Sequence, residues 1–80
     1  MDYVITFAGT HAAIAAEKTL RTVAAVAILP TPRAISQGCG IAIRFGETDR
    51  AAVEAAMATL PLPTDQYKIY RFDGAAYTPL

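Results

Sequence analysis

Val26-Ala27-Ile28-Leu29, then Pro30-Thr31-Pro32-Arg33-Ala34-Ile35-Ser36-Gln37-Gly38-Cys39, then Gly40-Ile41-Ala42-Ile43-Arg44-Phe45: two short apolar runs flank a loop marked by proline and glycine. Runs of this size, rich in β-branched and aromatic residues and cut by Pro or Gly, read as strands. Two successive strands in the middle of the chain decide the fold, because each has a helix-period segment on its outer side. Upstream, Ala13, Ala16, Leu20 and Val23 recur at helical spacing after Thr10, a good N-cap residue, while Glu17 and Arg21 form an i,i+4 pair on another face. Before that helix, Tyr3-Val4-Ile5-Thr6-Phe7 reads as a strand stopped at Gly9. Downstream, Thr48 is the expected cap of a second helix with the apolar stripe Val53, Ala56, Met57 and Leu60, ended by Pro61 and Pro63. From Gln66 to Phe72, Tyr67/Ile69 alternate with Lys68/Tyr70 as a fourth strand.

The order β-α-β-β-α-β is the α+β, ferredoxin-like split βαβ pattern. Right-handed crossovers place strands 1 and 3 at the centre and strands 2 and 4 at the edges of a four-stranded, antiparallel-containing sheet, with both helices on one face. The strand 1 to helix 1 turn, the strand 2 to strand 3 loop and the helix 2 to strand 4 loop then share one pole. Residues near 9–11, 30–40 and 61–66 are therefore expected to be neighbours.

The chain of 80 residues and 8.5 kDa accommodates one domain over residues 1–80, with a core at 3–72 and a Gly/Ala/Pro tail at 73–80 left without an assigned structure. In so small a chain hydrophobic burial and ordering entropy nearly cancel, so tight packing or a partner subunit, including a homodimer, would help. Seven Lys plus Arg against seven Asp plus Glu give zero formal charge. That balance speaks against nucleic acid and anionic membranes as partners. A hydrophobic fraction of 54% excludes a disordered chain. The longest apolar stretch, Val23 to Pro30, is too short to span a bilayer, and Met1-Asp2-Tyr3 lacks a basic lead into an apolar run. A cytoplasmic, reducing location is expected. The sole cysteine, Cys39, rules out an internal disulfide scaffold. One Cys and one His make no zinc set, no phosphate-binding glycine motif occurs, and no cofactor is implied.

The link between strands 2 and 3 is about twice the length of an ordinary hairpin connection, and long loops in small domains are often functional. Pro30 and Pro32 stiffen its first half, while Gly38 and Gly40 flank the thiol and leave it unshielded. A thiol with its ordinary pKa near 8.5 is only about 3% ionised at pH 7, whereas a pKa of about 6.5 would make it roughly 75% thiolate. The shift requires about 2.7 kcal/mol of preferential anion stabilisation. Arg33, His11 and the N–H groups at the start of helix 1 are directed to the same pole and could supply it. Plainer roles are open for each. Cys39 is equally read as a small buried hydrophobe, His11 as a solvated helix-start residue and Arg33 as a partner of loop carbonyls. Arg44 is expected on the open side of the sheet, Glu47 and Asp49 suit the start of helix 2, and Tyr67, Tyr70 and Phe72 suit sheet packing. A triad of Cys39, His11 and Asp65 is conceivable, but the chain is small for a hydrolase with a substrate cleft.

Two segments resemble the selenium/sulfur carrier-like domains, short bacterial and archaeal proteins also found at the C-terminus of sulfurtransferase-like selenium-metabolism proteins. They are Thr10-His11 with Ala13, Ala16-Glu17-Lys18 and Leu20, and Pro30-Thr31-Pro32-Arg33-x-Ile35-Ser36-x-x-Cys39-Gly40-Ile41-Ala42-Ile43-Arg44-Phe45. The resemblance covers about residues 3 to 71, and implies a ferredoxin-like fold. It also implies a carrier in which Cys39 accepts sulfur or selenium as a persulfide or selenopersulfide, Arg33 stabilises the anion and His11 relays a proton. The partner it implies is a persulfide donor such as a cysteine desulfurase or a sulfurtransferase-like protein. Gly38 and the Ala-rich tail are features of this member. The other readings are a ferredoxin-like module that binds a small ligand or a protein, and a single-cysteine redox sensor.

Overall fold

The computed structural model describes residues 2–35 and 40–80. In chain order the elements are β1 (Asp2–Phe7), α1 (Thr10–Leu20), β2 (Ala27–Pro30) and β3 (Ile41–Gly46), then a 3-10 turn (Glu47–Asp49) that runs into α2 (Arg50–Thr59). A second 3-10 turn (Thr64–Gln66) leads into β4 (Tyr67–Phe72), and β5 (Tyr77–Pro79) follows. The five strands form one sheet in the order β2-β3-β1-β4-β5, every neighbouring pair antiparallel. The molecule is thus an α+β fold.

β3 and β1 lie between β2 and β4, as the crossovers require, but two expectations are corrected. The sheet has five strands rather than four, and β4 is an interior strand rather than an edge. The difference comes from the segment left without a structure. Asp73-Gly74-Ala75-Ala76 folds into a turn in which Gly74 takes φ 98°, the left-handed region that costs glycine little. The Asp73 carboxylate accepts from the Ala75 and Ala76 N–H groups, each at 2.8 Å. The turn returns the chain along β4, with Phe72 opposite Tyr77 and Tyr70 opposite Pro79. Phe72 and Tyr77 stack with ring centroids 4.5 Å apart.

Strand alternation sorts the side chains. Tyr3 and Ile5 of β1 and Ile43 and Phe45 of β3 project to one face, where they meet Ala16 and Leu20 of α1 and Val53, Ala56 and Met57 of α2. Both helices therefore cover the same face. Alanines on the buried stripes let the helix backbones approach the sheet, and Tyr3 stacks on Phe45 at 5.3 Å. Each fully buried aliphatic side chain here contributes about 1.5–3 kcal/mol. On the opposite face Arg44 is exposed and ion-paired with Asp2, and Glu17 pairs with Arg21 along α1.

Helix starts differ from the capping pattern. Gly9, extended at φ −157°, is the N-cap of α1, and no side chain caps the turn. Its carbonyl already accepts from the Ala13 N–H (3.3 Å), so Thr10 is the first helical residue and not the cap. Thr48 is likewise not the cap of α2. It lies inside the 3-10 turn, and Asp49 occupies the N-cap position without a side-chain bond. The extra turn arises because β3 runs on to Gly46, leaving residues 47–49 to reverse the chain before the α-helix can begin.

Candidate functional site

Three connections converge at one end of the sheet. The register pairs Thr6 with Ala42 and Phe7 with Tyr67, so β1 ends where β3 and β4 begin. The ladders continue past the strand ends: the Ala8 N–H donates to the Gln66 carbonyl (2.8 Å), and the Thr31 N–H to the Gly40 carbonyl (3.0 Å). Gln66 is itself held by its N–H bond to the Pro63 carbonyl (2.9 Å). The start of α1, the two flanks of the loop over residues 30–40 and the 3-10 turn before β4 therefore share this pole, as the topology predicts.

Within the loop, Pro30 is the last residue of β2. The Pro32 carbonyl accepts from the Ile35 N–H (3.0 Å), a turn with Arg33 and Ala34 at its centre. Arg33 is exposed. Gly40 stands immediately before β3, where a Cβ would lie 3.1 Å from the Thr31 hydroxyl oxygen, so a side chain here would press on Thr31 across the neck of the loop. Cys39 and Gly38 lie outside the described residues.

His11 is the second residue of α1 and is exposed at the same pole, and Asp65 is exposed in the 3-10 turn. Among the described residues no hydrogen bond or ion pair joins His11, Arg33 and Asp65 to one another. Arg44 does not belong to this group, because its charge is matched by Asp2 on the open face. Among the described residues no cluster of three or more His, Cys, Asp or Glu side chains could hold a metal ion. Among the described residues no helix is long and apolar enough to cross a membrane.

A groove of about 750 Å³ also opens here, between α2 and the start of β4, lined by Phe7, Met57, Tyr67, Ile69 and Leu80 among others, with Asp65 and Lys68 on its wall. Alternation along β4 identifies Tyr67 and Ile69 as core-facing, but the groove itself is not legible in the sequence. Its far wall exists only because the hairpin returns Leu80 beside Ile69, whose carbonyl accepts the Leu80 N–H at 3.0 Å. The signal for it is the Asp73-Gly74 pair between Tyr70/Phe72 and Tyr77/Pro79, a hairpin signature.

The model of the family described as "Putative Se/S carrier protein-like" matches residues 2–68. That span takes in the start of α1, the whole loop with Cys39 and the 3-10 turn before β4, and ends within β4, before the turn to β5. Comparison with curated proteins and with solved structures gives no match.

Proposed function

The chain belongs to the Se/S carrier protein-like family, and from that premise we propose that it carries sulfur or selenium on Cys39 and delivers it to a partner. The observation behind this reading is that the family match spans the overlong loop bearing the sole cysteine, whose two flanks sit at the pole shared with the start of α1. The strand order β2-β3-β1-β4 under two helices is read as the ferredoxin-like arrangement, extended by β5.

The cycle needs no bound cofactor. The Cys39 thiolate attacks the outer sulfur of a donor persulfide, R–S–SH. A new S–S bond forms, the donor S–S bond breaks, and the donor leaves as R–S⁻ with Cys39–S–SH in place. An acceptor nucleophile then attacks that outer atom, takes it with its hydrogen, and Cys39 departs as thiolate. Selenium follows the same course as Cys39–S–SeH. Arg33 lowers the energy of the anion, the uncapped N–H groups of α1 add a positive end, and His11 relays a proton from solvent to the donor thiolate once it has departed. Gly38 and Gly40 keep bulk away from the reacting atom, while Pro30 and Pro32 set the loop's take-off. With one cysteine in the chain, release requires an external acceptor, so the protein acts as a relay between a donor such as a cysteine desulfurase and that acceptor, in the cytoplasm.

The test is incubation with a cysteine desulfurase and cysteine followed by intact mass measurement. One added sulfur atom is expected on the wild type and none on Cys39→Ser; equal addition to both, or none to either, overturns the proposal. Arg33→Ala is expected to load to the same extent but about tenfold more slowly, a loss of about 1.4 kcal/mol in the transition state.

A further inference from the structure

The edge strand β2 has backbone groups whose direction follows from the register. The Thr31 N–H bond to Gly40 makes that pair a hydrogen-bonded one, and antiparallel pairs alternate between bonded and non-bonded. With Ile28 opposite Ile43, Leu29 opposite Ala42 and Pro30 opposite Ile41, Leu29 bonds inward to β3. Ile28 and Pro30 turn their main-chain groups to the free edge. Pro30 has no N–H, so its ring occupies a position where a donor would have faced outward.

Side chains distinguish this edge from the other one. β5 is only three residues long, and Pro79 sits on it opposite Tyr70. Natural edge strands usually carry a charge that repels pairing, yet Thr22 through Pro32 contains none. Among the described residues, two of the four exposed large hydrophobics lie on or just before β2: Val23 at 46% and Ile28 at 45%. The net charge of the chain is zero, so two copies meet without long-range repulsion.

We propose that β2 pairs antiparallel with β2 of a second copy about a two-fold axis at Ile28, joining two five-stranded sheets into one. The two Ile28 residues exchange both N–H···O=C bonds. Each Pro30 carbonyl faces the Val26 N–H of the other chain, and the missing proline N–H ends the ladder at both sides. The interface is isologous and closes on itself, so it yields a dimer and not a fibre. Because the strands are antiparallel, the two loops that follow Pro30 leave in opposite directions and remain free, and the inference stands apart from the carrier reading.

The test uses Ile28→Cys in a Cys39→Ser background. Residues opposite each other in a bonded antiparallel pair have Cα atoms about 5.5 Å apart, within the roughly 4.4–6.8 Å that a disulfide spans. Under mild oxidation Ile28→Cys is expected to form a covalent dimer, whereas Ala27→Cys, one position off the axis, and Thr78→Cys on β5 are not. Sedimentation of the wild type should give a concentration-dependent dimer with Kd below about 1 mM, and Ile28→Lys should remain monomeric at the same concentrations with an unchanged circular dichroism spectrum. A wild type monomeric up to that concentration, an Ile28→Lys dimer of undiminished affinity, or faster cross-linking of Ala27→Cys or Thr78→Cys than of Ile28→Cys overturns the proposal.

Discussion

Tyr3 is buried, stacks on Phe45 and takes a hydrogen bond from Arg50 Nη1 at 3.0 Å, with the guanidinium 5.1 Å from its ring centre. The Glu47 carboxylate, accepting from the phenol, raises its pKa above the ordinary value; burial adds to this and Arg50 opposes it. The folded chain thus holds the phenol proton more tightly than the unfolded one, so stability falls as pH rises through 10 toward the folded-state value. Tyr3→Phe should remove this part of the alkaline slope, and denaturant melts of both proteins from pH 9 to 11 check it; parallel slopes would refute the assignment. Gly40 makes a steric prediction. Its φ is not in the left-handed region, so alanine can adopt the backbone, but the new Cβ would stand 3.1 Å from the Thr31 hydroxyl. Gly40→Ala should cost about 1 kcal/mol, and Thr31→Ala should recover most of it in the double variant. Additive losses would show that the two positions do not press on each other.

The β4–β5 hairpin owes its turn to Asp73. Backbone N–H bonds from Ala76 and Ala75 hold its carboxyl below the ordinary value of 3.8. A depressed carboxyl stabilises the fold above its unfolded pKa, and the effect is lost as pH falls through the lower folded value. Acidification below about pH 4 should therefore loosen β5 before the rest of the sheet. Asp73→Asn should show the looser hairpin already at pH 7; the intensity and shifts of the Tyr77 ring resonances, stacked on Phe72, report it. A pH-independent Tyr77 signal in the wild type would argue against the carboxylate's role. This element also shows what local pattern conveys. Alternation and prolines marked β1 to β4 to within a residue or two, because each strand's apolar face is dictated by the core. β5 is not legible in the pattern, since a strand of three residues with Pro79 in it carries almost no period of its own and only the Asp73-Gly74 pair hints at the turn before it. The caps at Thr10 and Thr48 were misplaced because a good capping side chain does not act where extended backbone at Gly9, or a preceding 3-10 turn, already starts the helix.

At the scale of the molecule, chain order alone brings the start of α1, the loop flanks and the 3-10 turn before β4 to one pole, because alternating strand directions leave no other place for them. What chain order could not convey is the relation of side chains there. His11, Arg33 and Asp65 are exposed, so no packing constrains them to a single arrangement that hydrophobic pattern would reveal, and Cys39 lies outside the described residues. The sheet's organisation makes a last prediction. β1 is bonded on both sides, by β3 and β4, and carries Ile5 at the bottom of the core, so its amides should exchange only through global unfolding. For a chain of this length that is about 4–12 kcal/mol. The Thr78 amide bonds to a single neighbour, Arg71, in a three-residue strand, and should exchange at least tenfold faster than that of Ile5, by local opening. The Ile28 amide faces outward from β2, so a monomer leaves it unprotected, and its exchange should slow as protein concentration rises if the sheet continues into a second copy. Hydrogen exchange at two concentrations reads all three positions together. Equal protection at Ile5 and Thr78 would mean that the five strands open as one unit, and an Ile28 rate indifferent to concentration would count against the edge pairing while leaving the order of opening intact.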